Sequence, residues 1–343
     1  MAARAVFYPI ISATDRAQTY HAARWNCAFR PMTSTVNLRT VREKKRHMKL
    51  EGLHILLTFQ CTYECDHCFV WGSPRQTGTL TLKQIEGILN QAHEAGVTSI
   101  YFEGGEPFLY YGTLVKAVHL AADRGFSVGI VSNAYWAGSI LDAEEWLRPF
   151  VGRLEDLTVS SDLFHGEEDL GENPQNAIAA AKMLGIPTGM IHVARPQALS
   201  TQSYGQIQDD SAVMYRGRAA KKLASGAALR RWEGFDSCPH EDLREPGRVH
   251  LDALGNVHVC QGLVIGNLFE RPLKQICDEY DPDDHPICGP LLAGGPAALV
   301  SEYNLPHDPE YADACHLCYE ARANLRTRFP EILGPNQMYG VNL

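Results

Sequence analysis

Three helix ends in this chain have the same form. Glu94-Ala95-Gly96, Asp123-Arg124-Gly125 and Met183-Leu184-Gly185 each close a helical stretch, and an apolar run follows each. Glycine takes the left-handed C-cap conformation cheaply, so it ends a helix and turns the chain back toward a sheet. The runs that follow are Val97–Phe102, Phe126–Val131 and Pro187–Val193. Leu53–Phe59, Leu154–Ser160 and Ser211–Tyr215 complete a set of six strand-like runs. Helical signals lie between them. Thr81 and Gln84 form a capping box, and Leu82, Ile85, Ile88, Leu89 and Ala92 recur at helical spacing. Further helical stretches occupy about 111–124 and 140–150, and Asn173-Pro174 reads as an N-cap followed by the first helical residue. Strands alternating with helices predict a parallel sheet with right-handed crossovers. The pattern admits a doubly wound sheet or a barrel, full or partial. Reactive groups gather at the C-terminal strand ends in either.

From about residue 225 the pattern changes. Arg248–Cys260 alternates apolar and polar residues around Gly255, which reads as a β-hairpin. Cys238 precedes it, and Cys315-His-Leu-Cys318 follows a Gly/Pro-rich stretch at 285–296. The expected organisation is a basic, peripheral extension over 1–47, a core over 48–225 and a smaller second domain over 226–343. Within residues 1–50 ten Lys and Arg are opposed only by Asp15 and Glu43.

The net charge of −9 argues against a phosphate-tracking surface, so no nucleic-acid partner is expected. No apolar run approaches a membrane span, and no continuous apolar stretch near the start resembles a secretory signal. A cytoplasmic location is expected. There, ten cysteines suit metal or cluster binding better than disulfides.

Cys61-Thr-Tyr-Glu-Cys65-Asp-His-Cys68 directly follows the first strand-like run. Thiolate-rich sites select zinc or iron–sulfur clusters. A structural zinc site wants four ligands, and His67, wedged between two of the cysteines, is a poor fourth. Four cysteines are the usual complement for a 4Fe–4S cluster, so three suggest a cluster with one iron left open. Gly104-Gly105-Glu106-Pro107 follows the next strand and falls on the same face. Its glycines let the backbone approach a ligand closely.

These two motifs together resemble the radical S-adenosylmethionine superfamily, over about residues 50–225. The resemblance implies a partial (β/α)6 TIM-type barrel with a small C-terminal α+β iron–sulfur domain. It implies that Cys61, Cys65 and Cys68 hold a 4Fe–4S cluster whose fourth iron is chelated by S-adenosylmethionine. His67 takes the family's aromatic position near the adenine. Gly104, Gly105, Glu106 and Pro107 match the segment that binds the methionine amino group, with Glu106 offering acceptor oxygens. By analogy, Ser132, Asn133, Ser160 and Asp162 contact the ribose or carboxylate; ordinary loop polarity after a strand is the alternative. For Tyr135, His165 and His192, packing or solvation is the plainer account. Cys238, Cys260, Cys315 and Cys318 resemble the auxiliary-cluster domain called twitch, related to SPASM, and imply a second 4Fe–4S cluster. A zinc ribbon is the alternative for that set. Cys277 and Cys288 read as bystanders and Cys27 as inert.

The resemblance also implies an oxidoreductase-type chemistry. An electron passes from the cluster to S-adenosylmethionine, and the resulting 5′-deoxyadenosyl radical takes a hydrogen atom from substrate. An electron donor such as flavodoxin or ferredoxin is implied as a partner. Oxidative modification of a peptide is the first expectation. Dehydrogenation of a small alcohol or sugar is the alternative, and a non-catalytic iron–sulfur or zinc structural protein is another. Residues 285–312 are expected to contribute to a lid.

Overall fold

The computed structural model describes residues 48–160, 172–193 and 213–341, which fall in one compact unit. In chain order the elements are β1 (Gly52–Thr58), α1 (Leu82–Glu94), β2 (Ser99–Gly104), α2 (Tyr111–Ala122), β3 (Ser127–Ser132), α3 (Ile140–Leu147), β4 (Asp156–Ser160), α4 (Asn173–Met183) and β5 (Thr188–Ile191). Then follow α5 (Arg218–Lys222), β6 (Arg230–Arg231), β7 (Arg248–Leu251), β8 (Asn256–Cys260), β9 (Leu263–Asn267), α6 (Leu273–Glu279), α7 (Cys288–Tyr303), β10 (Glu310–Tyr311) and α8 (Ala314–Leu325).

The main sheet runs β5-β4-β3-β2-β1-β7-β8-β9. Strands β1 to β5 are parallel and lie in sequence order. A doubly wound sheet reverses its order at a switch point. No reversal occurs here, so right-handed crossovers carry every helix to the same face. That winding is the partial-barrel solution. On β1, Leu53, Ile55 and Leu57 are fully buried in the hydrophobic core, while His54, Leu56 and Thr58 alternate with them on the other face. The three glycine stops form as expected: Gly96, Gly125 and Gly185 have φ of +80°, +84° and +72°. The Thr81–Gln84 capping box also forms in both directions.

Some expectations are corrected. Glu172, not Asn173, is the N-cap of α4, and Asn173 instead donates from Nδ2 to the Tyr135 carbonyl at 3.2 Å. Val213–Tyr215 is not assigned to a strand; Ser211 lies outside the described residues. The hairpin gains a third strand, β9, and pairs through β7 with β1, in parallel, so it extends the barrel sheet. Asp252, fully buried, holds its turn by accepting from Leu254 N, Asn256 N, Asn256 Nδ2 and His258.

Candidate functional site

The C-terminal ends of the five parallel strands meet at one cavity of about 320 Å³. Cys61, Cys65, His67 and Cys68 enter from the loop after β1. Gly104 and Gly105 come from β2, Ser132 and Asn133 from β3, and Ser160 from β4. Ile191 and Val193, from β5 and beyond, complete the apolar side. Glu106 and Pro107 are buried but do not line the cavity. Neither do Tyr135 and His192. Asp162, His165 and Cys27 lie outside the described residues.

The cysteine loop is held by its own backbone and by one distant arginine. Tyr63 N lies 3.5 Å from Cys61 Sγ, and Gly72 N donates to Cys68 Sγ at 3.2 Å. Asn133 Nδ2 lies 3.5 Å from Cys61 Sγ and donates to Thr62 Oγ1 at 3.0 Å. Hydrogen bonds to sulfur are among the groups that set a cluster's potential. Arg218, at the start of α5, is almost completely enclosed. Its Nη1 donates to the Cys65 carbonyl at 2.7 Å and its Nη2 to the Gly72 carbonyl at 2.8 Å. Its backbone N–H reaches the Cys68 carbonyl at 2.9 Å. Gly217 precedes it with φ +61°, and a Cβ there would lie 2.5 Å from Phe69 Cα, so the approach requires glycine. Nothing in the spacing of the sequence pointed to Arg218, which stands 153 positions from Cys65.

Glu106 braces the strand ends. Its Oε1 accepts from Phe108 N and Ser132 Oγ, both at 3.0 Å, and its Oε2 from Asn133 N at 2.8 Å. Burial raises its carboxyl to about 7, against the lowering effect of these bonds. Both oxygens are thus engaged within the protein, where they position Ser132 and Asn133, which line the cavity themselves. Gly104 and Gly105 pack on the end of β1. Added Cβ atoms would sit 2.4 Å from the Thr58 carbonyl oxygen and 2.1 Å from that of Gln60.

Cys238, Cys260, Cys315 and Cys318 line a second, small cavity. Leu291 and Pro296 of α7 wall it, and no residue of 285–312 borders the first cavity, so the expected lid is a wall of the second site. The helix breaks at Gly294 and Gly295. A Cβ on Gly295 would lie 2.2 Å from Ser237 N, so the break lets α7 approach the Cys238 segment. Cys277 and Cys288 are buried and do not line this cavity.

Two buried arginines flank the four thiols. Arg322 donates to the Gln261 carbonyl at 2.9 Å. Arg216 donates to Glu241 Oε1 at 3.1 Å, and its Nη1 lies 3.6 Å from Cys260 Sγ. Its Nε is buried with no hydrogen-bond partner. Arg216 lines both cavities, with its guanidinium 5.1 Å from the Phe69 ring centroid. Sequence reading missed it because it sits in an irregular segment.

The donor chemistry fits iron–sulfur clusters. Burial pushes the Cys61 thiol up to about 12 and the Cys318 thiol up to about 11, and raises Cys315 as well. Buried thiols of this kind gain from ligation, which deprotonates them outright. Buried guanidinium groups supply the positive charge that a buried anionic cluster needs.

Residues 55–169 match the family model described as the Radical SAM superfamily. The putative peptide biosynthesis protein YydG of Bacillus subtilis (strain 168) is 27% identical over 253 residues, covering 73% of each chain. The S-adenosylmethionine-dependent nucleotide dehydratase RSAD2 of Siniperca chuatsi is 31% identical over 139 residues, covering 39% of this chain and 36% of that protein. The chain thus spans about a third of the dehydratase's length. Among solved structures, Streptococcus suis SuiB bound to precursor peptide SuiA aligns at 13% identity with a TM-score of 0.42, covering 78% of this chain and 76% of that one.

Proposed function

The chain belongs to the radical SAM superfamily through residues 55–169, and on that premise we propose that it modifies a peptide oxidatively. When bound, the 4Fe–4S cluster and S-adenosylmethionine supply an electron and a 5′-deoxyadenosyl radical that removes a substrate hydrogen atom. Cys61, Cys65 and Cys68 hold the cluster. The convergence of these three thiols with Gly104, Gly105 and the β3 loop on one cavity carries this reading. Arg218 fixes the loop that presents the thiols. Glu106 fixes Ser132 and Asn133, and His67 contributes a ring to the wall. Leu56, Val131, Ile191, Val193 and Val213 give the cavity an apolar wall.

Cys238, Cys260, Cys315 and Cys318 hold the second cluster, which makes residues 226–343 the auxiliary part of the protein. Net oxidation requires an electron acceptor near the substrate, and Arg216, which borders both cavities, supports placing this set beside the reaction site. Peptide modification is favoured by the coverage shared with YydG. A reduced flavodoxin or ferredoxin supplies the electron, in a reducing compartment such as the cytoplasm. Among the described residues no helix is long and apolar enough to cross a membrane.

The test is anaerobic reconstitution with iron and sulfide, reduction, and incubation with S-adenosylmethionine and peptides encoded beside the gene. The expected products are 5′-deoxyadenosine and a peptide lighter by two hydrogen atoms. Failure to form 5′-deoxyadenosine with the first cluster loaded and peptide present sinks the radical reading. Its formation without peptide change, but with oxidation of a small alcohol or sugar, sinks the peptide reading alone. A C315A/C318A double variant that keeps the first cluster and full product formation removes the electron-acceptor role.

A further inference from the structure

One polar group inside the barrel has no part in the chemistry above. His54 on β1, Glu103 on β2 and His250 on β7 come from three adjacent strands. His54 pairs in register with Tyr101 on one side and with His250 on the other. Glu103 lies two residues beyond Tyr101, so the pleat returns it to the same face. Among the described residues, these three form the one group of His, Cys, Asp or Glu side chains whose ligand atoms all lie within 4.8 Å of one another.

We propose that His54, Glu103 and His250 bind a divalent transition-metal ion at the wall of the reaction cavity. His250 Nδ1 is 2.8 Å from Glu103 Oε1, and His54 Nδ1 is 3.5 Å from Glu103 Oε2. Each separation is shorter than twice a metal–ligand bond of about 2.1 Å, so each pair of groups can share one ion. Two imidazoles and one carboxylate are the donor set of sites that hold zinc or non-haem iron(II) and keep a position open. Of the three, Glu103 lines the cavity, which sets the group against the space where substrate binds.

The surroundings support ligation. His54 Nδ1 is buried and makes no hydrogen bond of ordinary geometry. Its ring stacks on Tyr101 at 4.9 Å, which fixes its orientation. His250 Nε2, the nitrogen turned away from Glu103, lies 3.5 Å from the Gln261 amide nitrogen. Gln261 Oε1 is buried without a partner. Turning that amide puts Oε1 where it accepts from His250 Nε2–H, which frees Nδ1 to coordinate. A ligating histidine characteristically donates its second N–H in this way.

The test uses the cluster-loaded protein, with both cysteine sets occupied and the clusters oxidised. Cobalt(II) is the probe, read by low-temperature EPR and by metal analysis after anaerobic desalting. One cobalt ion per chain is expected, displaced by zinc. E103Q and H250Q should each weaken binding about tenfold or more, with iron content unchanged. H54N, which keeps the His250–Glu103 pair, should weaken it as well and serves if the other variants fail to fold. No stoichiometric cobalt or zinc in the wild-type protein overturns the proposal and leaves three groups that only tie β1, β2 and β7 together. Binding that survives all three substitutions overturns it too. Neither result bears on radical chemistry, which is read separately by 5′-deoxyadenosine.

Discussion

Replacing Arg218 by alanine should cost the protein its first cluster before it costs the fold. The guanidinium makes two hydrogen bonds, to the Cys65 and Gly72 carbonyls, on either side of Cys68 in the cysteine loop. Hydrogen bonds to charged groups contribute about 1.5–3 kcal/mol each, so the pair accounts for about 3–6 kcal/mol. Trp71, whose ring centre is 5.3 Å from the guanidinium, also loses its neighbour. The damage is local, because the backbone of β1 is held by β2 and β7 and not by Arg218. A penalty of even about 3 kcal/mol is more than a hundredfold in the population of the ligating loop. R218A should therefore lose most of its first-cluster iron on anaerobic desalting while the circular dichroism spectrum stays native. R218K should fall between, since an ammonium cannot serve both carbonyls as a fork does. R148A, at an exposed ion pair on α3, should change nothing. If R218A keeps first-cluster iron at the wild-type level, the loop does not depend on this clamp and the reasoning fails.

Three further outcomes follow from the same contacts. G105A forces a Cβ to within 2.1 Å of the Gln60 carbonyl, so S-adenosylmethionine binding in equilibrium dialysis should weaken at least tenfold, while G112A, with open space around its Cβ, should bind normally. Glu106 carries a folded-state value raised to about 7, so the folded protein holds this proton as the unfolded chain releases it. Wild-type stability should then fall as pH rises from about 4.5 to 7, by up to about 3 kcal/mol from this group, and level off above. E106Q should lack that slope in urea melts, and parallel profiles would contradict the assignment. R216M removes a buried cation beside the second cysteine set, so iron should drop from about eight toward about four per chain; retention of all the iron would show that the charge is not needed there.

The local rules were legible because each is satisfied by neighbours in sequence. Glycine stops at 96, 125 and 185 need only the preceding turn, and the Thr81 cap needs only Gln84. The cysteine spacing and the two glycines at 104 and 105 were readable for the same reason. The groups that hold the site in place were not. Arg218 acts on Cys65, and Arg216 on Cys260, through contacts that no periodicity records. Glu106 was legible as a polar group at a strand end, but its direction depends on the β3 loop. His54, Glu103 and His250 each look like a single polar residue in an apolar run, and only strand order and register bring them together.

The placement of the hairpin alters how the two cysteine sets relate. Read from sequence, Arg248–Cys260 opens a separate domain, which could hold its own distance from the core. In the structure β7 is hydrogen-bonded to β1, the strand that delivers Cys61, Cys65 and Cys68. Cys260 ends β8, the next strand over. The second set is therefore tied through Cys260 to the sheet that carries the first, while Cys315 and Cys318 come from α8. Arg216 spans the gap from the other side and touches both cavities. An acceptor that must take an electron from a short-lived substrate radical gains from such a fixed separation, whereas a purely structural cluster does not need one. Loosening β7 from β1 should then lower product formation even where both clusters remain loaded, and that separation of cluster content from turnover is what an electron-accepting role requires.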